Sequence, residues 1–330
     1  MTKKQERVYV CVDDTDDLTK ITSTGMIADA IAKAVQEEFG GKIRMGTTRH
    51  QLFLDKSVPY TSHNSAMCFD MLLPAGSAER VNKIGWEKIN QMRAESANPG
   101  LCILATDVLD DQEIKMRYRD LISYGKKAKV RYVTREEAVE QAKAFPEIIL
   151  RWDGETGQGR IGSLAGVGLR MSGEDGRFRG KYHLKKLSEE AVLTVEKLTA
   201  LCERHLGTRP VFADNEGHPL DLHEKVQLAD KVKPVLLGGQ MVMLCGQAED
   251  GSWIPHSKDS LPKENTGNKK RKVPGKGSEK CPYFELDPDE EERFQDNRPR
   301  SCGACLYRRL ESDGYSCSKG IMKKEVASPY

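Results

Sequence analysis

The chain predicts an α/β (α+β) fold, a mixed sheet with covering helices, because strand-like and helix-like patterns alternate along its first two hundred residues. Three stretches carry that reading. Val8, Val10 and Val12 form a β-branched alternating run; Met26, Ile27, Ala30, Ile31, Ala34 and Val35 recur at helical spacing; and LCILAT at Leu101–Thr106 has the composition of a buried strand.

In chain order, the first strand runs into four carboxylates, Asp13, Asp14, Asp16 and Asp17, and a polar loop leads through Gly25 into a helix that Gly40 and Gly41 end. Lys42–Leu54 reads as one strand with a basic centre, placing Arg49 and His50 toward the acidic loop. Pro59–Leu73 reads as a turn and a strand, Ser77–Arg93 as a helix and Asp110–Tyr124 as another. KVRYV at Lys129–Val133 is expected to be a short strand, and Thr134 with Glu137 forms a capping box for a helix ending near Phe145. Lys181–Leu187 looks strand-like, Ser188 is expected to open a helix through His205, and Gly207 to stop it. Lys233–Gly246 reads as a hairpin or a bulged pair of strands. From Lys258 to Lys280 the composition turns to Lys, Asn, Gly, Pro and Ser, which describes a flexible basic linker.

Four clusters carry chemistry. Four carboxylates this close repel one another unless cations neutralise them, and their oxygens suit magnesium shared with phosphates; the competing reading is a solvated acidic turn. In an open α/β sheet, a loop beyond the carboxyl end of a strand is where ligands bind. The string GQGRIGSLAGVG at Gly157–Gly168 places Gly157, Gly159 and Gly162 where backbone amides can approach phosphates, with Arg160 adding charge. It is neither a Walker loop nor a Rossmann fingerprint, and a helix whose small residues pack against a neighbour explains it equally well. PYTSHNSA supplies His63 for proton transfer and Asn64 for orienting a base or a phosphate. Near the end, Cys281, Cys302, Cys305 and Cys317 lie in a segment too polar to make its own core. One metal centre, zinc or a [4Fe-4S] cluster, would supply about 10 kcal/mol or more of folding free energy there.

The order VDDTD, a short gap, TGM, then PYTSHNSA, then GQGRIGSLAGVG resembles the tRNA agmatidine synthetases, the TiaS family, over roughly the first 185 residues. That family attaches agmatine to an anticodon cytidine of an isoleucine tRNA, with ATP activating the base. The resemblance implies an ATP-dependent tRNA-modifying enzyme of ligase type. Asp13, Asp14 and Asp16 would hold magnesium, with His63 and Asn64 catalytic, and Gly25, Gly157, Gly159, Arg160 and Gly162 would hold ATP. The family's phospho-acceptor threonine falls in the region of Ile27 and Ala28. Alanine accepts no phosphate, so Thr22, Ser23 or Thr24 would have to substitute. Two alternatives stand beside this: an ATP-dependent enzyme of a small substrate that lost tRNA modification, favoured by Ala28, and a non-catalytic metal- and nucleic-acid-binding protein.

With 330 residues there is room for about two domains. The expected division is residues 1–210 as the nucleotide-binding catalytic domain, 211–257 as a small β-rich segment, 258–280 as the basic linker and 281–330 as the four-Cys module. A net charge of +2 leaves attraction to RNA to local patches such as KKRKVPGK at Lys269–Lys276. No apolar run approaches a membrane span, and the start MTKKQERVYV lacks a signal-peptide core, so a cytoplasmic protein is expected.

Overall fold

The computed structural model describes residues 4–17, 22–61, 63–258, 260–261, 281–285, 305, 307–311 and 314–319. Strand β1 (Gln5–Asp13) leads into α1 (Thr24–Phe39), then β2 (Lys42–Ile43), β3 (Thr48–Gln51), β4 (Ser65–Pro74), α2 (Ala78–Met92) and β5 (Gly100–Asp107). Helices α3 (Asp111–Arg117), α4 (Arg119–Val130) and α5 (Arg135–Lys143), strand β6 (Ile148–Trp152), helix α6 (Gly159–Ser172) and strand β7 (Arg177–Phe178) follow. Next come β8 (Val192–Thr194), α7 (Val195–Leu206), β9 (Val211–Ala213), β10 (Lys225–Gln227), β11 (Val235–Leu237), β12 (Gln240–Gln247) and β13 (Trp253–Pro255). A separate hairpin pairs β14 (Arg308–Glu311) with β15 (Gly314–Cys317).

The main sheet runs β6-β5-β1-β4-β3-β7-β11-β12-β13-β10-β8, with β2 paired to β4 and β9 to β12. Both neighbours of β1 are antiparallel to it. The carboxyl-end rule for parallel sheets therefore does not place the acidic loop. What places it is register: Asp13 pairs with Gly100 of β5 and Val12 with Met67 near the start of β4, so the loop emerges beside both.

Period-two alternation divides β1 between two cores. Val8, Val10 and Val12 join Phe69, Met71, Leu101 and Ile103 under α1 and α2. Tyr9 and Cys11 join Ala66, Cys68, Cys102 and Leu104 under α4 and α6. Helix α6 is buried almost all round, which its small residues permit: a Cβ on Gly166 would overlap the Cys11 sulfur, and one on Gly168 the Leu121 carbonyl. The glycine-rich segment is thus a close-packed helix. A third core gathers Leu184, Leu193, Leu198, Cys202, Phe212, Val226 and Met243 around α7.

An ionic chain ties α6 to the sheet. Asp70, fully buried, accepts from Arg7 Nε at 2.8 Å and from Arg170 Nη2 at 2.7 Å. Arg170 Nη1 donates to the Thr48 hydroxyl, which lies 2.7 Å from His50 Nε2, and His50 Nδ1 is 2.9 Å from Asp175, itself bonded to Lys129. His50 faces this interior and not the acidic loop, the side opposite to the sequence expectation.

Other elements differ from the pattern reading for local reasons. Lys42–Leu54 is broken into β2 and β3, with Gly46 at φ 105° between them. The Asp110–Tyr124 helix is two helices that meet at Tyr118. Lys129 and Val130 complete α4, the Arg131 amide bonding the Lys127 carbonyl, and Arg131–Val133 leads straight to the Thr134 cap, so the expected strand is absent. Both halves of the Thr134–Glu137 box are present. Lys181–Leu187 holds a 3₁₀ turn at Leu184–Lys186 in place of a strand. Ser188 opens no helix because Leu193 pairs with Val226, and α7 starts only at the Thr194 cap; Gly207 ends it with φ 66° as expected. Lys233–Gly246 is the expected hairpin, turning at Gly238 and Gly239.

Candidate active site

A cleft opens at the C-terminal end of β1. Its lining includes Asp13, Asp14, Asp16 and Asp17, the hydroxyl run Thr22, Ser23 and Thr24, Arg49, His63, Asn64 and Gly162. Residues more than a hundred positions apart in sequence therefore meet, because β1, the start of β4 and the start of α6 converge there.

Hydrogen bonds from several segments anchor the acidic loop. The Thr24 amide donates to Asp16 at 3.1 Å, putting that carboxylate at the positive end of α1, and Ser96 donates to Asp17 at 2.6 Å. Ser23 caps the same helix through the Met26 amide, and buried Thr15 donates to the Thr24 hydroxyl. Asp13 and Asp14 face the cleft. Asp14 sits at φ 54°, a left-handed conformation uncommon outside glycine and one that clusters at functional sites.

Burial, reinforced by Asp14, holds the Asp13 carboxyl well above the usual carboxylate range, and burial with Asp16 nearby lifts Asp14 to about 7. Such carboxyls resist ionisation until a cation compensates the charge. Among the described residues, no three or more His, Cys, Asp and Glu side chains converge as a ready-made metal cage. This donor set fits a hard ion such as magnesium, which takes one or two carboxylates and completes its shell with water and substrate phosphates.

The rest of the site is amphiphilic. Leu52, Phe53, Val58, Tyr60, Tyr132, Val133 and Ile161 also line the cleft, with Arg131 among them. Asn64 braces this wall: its side-chain amide donates to the Phe53 carbonyl at 2.6 Å, and its own carbonyl accepts from Leu52 and Gln51. Gly162 is fitted to the site, since a Cβ there would overlap the Asp13 carboxylate and crowd Leu52.

Four of the expected binding residues lie off the cleft lining. Gly25 packs under the Arg179 guanidinium, and Gly159 against Gly100. Arg160 bonds the Gly157 carbonyl at 2.8 Å and lies 4.1 Å over the Trp152 ring. Ile27 and Ala28 are fully buried and do not line the cleft. Sequence reasoning missed Tyr60, Tyr132 and Arg131. Tyr60 lies inside the PYTSHNSA segment and carried a signal; Arg131 and Tyr132 were hidden in the KVRYV run read as a strand.

Of the four C-terminal cysteines, Cys302 lies outside the described residues. Cys305 is buried, Cys281 and Cys317 are partly exposed, and Cys317 pairs with Arg308 in the hairpin. No helix among the described residues is long and apolar enough to cross a membrane.

No known family model matches the chain, and no curated protein does. Solved structures of TiaS are similar to it. The apo enzyme, described as a tRNA agmatidine synthetase, is 24% identical with a TM-score of 0.39, over 49% of this chain and 35% of that one. Its complex with its isoleucine tRNA and ATP is 25% identical with the same TM-score, over 49% and 36%. The complex with that tRNA, AMPCPP and agmatine is 18% identical, again with a TM-score of 0.39, over 61% and 45%. The chain thus spans less than half the length of these enzymes.

Proposed function

We propose that this protein is an ATP-dependent, tRNA-modifying enzyme whose chemistry takes place in the cleft at the end of β1. The observation that carries the reading is the convergence of Asp13, Asp14 and Asp16 with three hydroxyls and an aromatic wall in one cleft. When magnesium is bound it supplies charge neutralisation for phosphates. Asp13 and Asp14 hold it, and Asp16, pinned by the Thr24 amide, keeps the loop in place. Phe53, Tyr60 and Tyr132, which line the cleft, are the aromatic side chains against which a base would pack. His63, on the same wall, takes or gives the proton of the group attacked. The choice of tRNA rests on the ordered sequence resemblance, with Cys281, Cys302, Cys305 and Cys317 as a metal-bound RNA grip. Residues 1–210 form the catalytic domain in this reading, followed by the β-rich segment, linker and Cys module.

The small-substrate alternative rests on Ala28, which is buried off the cleft lining, whereas the hydroxyls of Thr22, Ser23 and Thr24 line it. Nucleoside mass spectrometry of bulk tRNA from cells with and without the gene tests the proposal. A modified nucleoside that disappears with the gene is expected. Identical nucleoside profiles would overturn the tRNA-directed half.

A further inference from the structure

The C-terminal hairpin packs against the cleft rim, some 250 residues away in sequence. Tyr60, part of the aromatic wall, donates its hydroxyl to the Leu310 carbonyl at 2.6 Å, and the Arg309 guanidinium lies 4.2 Å over the Tyr60 ring. Arg309 also donates to the Val58 carbonyl at 3.2 Å, and Arg308 Nη2 is 3.5 Å from His63 Nε2. Every one of these rim partners, Val58, Tyr60 and His63, lines the cleft, while Arg308 and Arg309 stand behind them. Leu310 is almost fully buried at this junction, so the hairpin is seated and does not merely graze the surface.

We propose that the hairpin is a brace for the substrate side of the cleft, with Arg309 and Arg308 acting as positioning residues for Tyr60 and His63. The described rim residues Val58, Pro59, Tyr60, Thr61, His63 and Asn64 belong to neither β3 nor β4. Side-chain contacts from elsewhere therefore decide how its aromatic and imidazole groups are aimed. A guanidinium only donates, so Arg308 can approach His63 Nε2 only while that nitrogen keeps its lone pair, which sets the imidazole tautomer. A cation over the Tyr60 ring and a carbonyl on its hydroxyl fix both ends of one side chain. The hairpin thus links the Cys-bearing end of the chain to the wall on which a base would rest. This rests on the nucleotide reading of the cleft.

The test uses full-length protein and magnesium·ATP as the probe, with binding by calorimetry and hydrogen exchange of residues 58–64 read together. Arg309→Ala is expected to weaken magnesium·ATP about fivefold and to speed exchange in that segment, with Arg309→Lys recovering most of the affinity. Tyr60→Phe keeps the stacked ring but loses the bond to Leu310. Its effect should fall short of additive with Arg309→Ala, because both act through one contact. Unchanged affinity and exchange in Arg309→Ala, beside a wild type that binds magnesium·ATP, would overturn the brace alone. A wild type that binds no magnesium·ATP overturns the nucleotide reading and the brace's role with it, and that outcome is distinct because it precedes any hairpin variant. An equal loss in Arg309→Lys and Arg309→Ala, or fully additive effects, would assign the residue to folding and reject a positioning role.

Discussion

Asp14 concentrates the behaviour of the site in one side chain. Its carboxyl is lifted from the ordinary 3.8 to about 7, so the folded protein keeps a proton there that the unfolded chain releases near pH 4. Folded-state proton binding then exceeds unfolded, and stability contributed by this group is present below pH 4 and lost as pH rises through about 7. Without magnesium, Asp14→Asn should therefore raise stability at pH 8 by about 2 kcal/mol and leave it nearly unchanged at pH 4, the full shift being discounted for partial exposure. Urea denaturation at the two pH values checks it. Magnesium competes with that proton, so metal affinity should rise as pH rises through about 7. Gly162 is the second decisive residue. Gly162→Ala forces a methyl against the Asp13 carboxylate and should cost about 1–3 kcal/mol of stability as well as cation binding, read by denaturation and calorimetry.

At the scale of elements, α6 decides the geometry, because its first turns meet Asp13 and its last turn carries Arg170. Burial alone would raise the Asp70 carboxyl, but Arg170, Arg7 and Arg44 more than offset it and hold it below the usual range. Arg170→Met removes two charge-assisted bonds to a fully buried carboxylate and should destabilise by about 3–5 kcal/mol. The double variant Asp70→Leu with Arg170→Met should recover part of that, and chemical denaturation of both proteins decides it. None of this chain was legible in the sequence. Arg7, Asp70 and Arg170 look like ordinary surface charges until β1, β4 and α6 bring them together. The local signals read well where one segment settles its own structure: the β1 alternation, the Thr134–Glu137 box and the Gly207 stop. They failed where pairing decides, as at Val192–Thr194, which became a strand against β10, and at Lys129–Val133, which had no strand to join.

Over the whole molecule, the acidic loop was legible as a candidate site because four carboxylates in five positions repel one another, and the aromatic residues of the cleft were not, because they come from three segments. The glycine-rich helix shows the limit of reading motifs singly: Gly162 belongs to the cleft, whereas Gly157, Gly159 and Arg160 serve the packing of the helix start. The C-terminal cysteines make a separate prediction. Anaerobically purified protein should carry one zinc or one iron–sulfur cluster per chain, released by Cys302→Ser with Cys305→Ser, while magnesium·ATP binding weakens only as far as the hairpin brace is lost. Metal analysis beside absorbance spectra distinguishes the two metals, and four freely reactive thiols in metal-free wild type would dismiss both.

The central claim is that the carboxylates at the end of β1 recruit a cation for nucleotide binding. Titration calorimetry of magnesium·ATP into wild type and into the Asp13→Asn, Asp14→Asn double variant tests it most directly, because the substitution keeps side-chain size while removing charge. Affinity should fall at least about tenfold in the double variant, with thermal stability equal or higher. Equal affinity in the two proteins would contradict it.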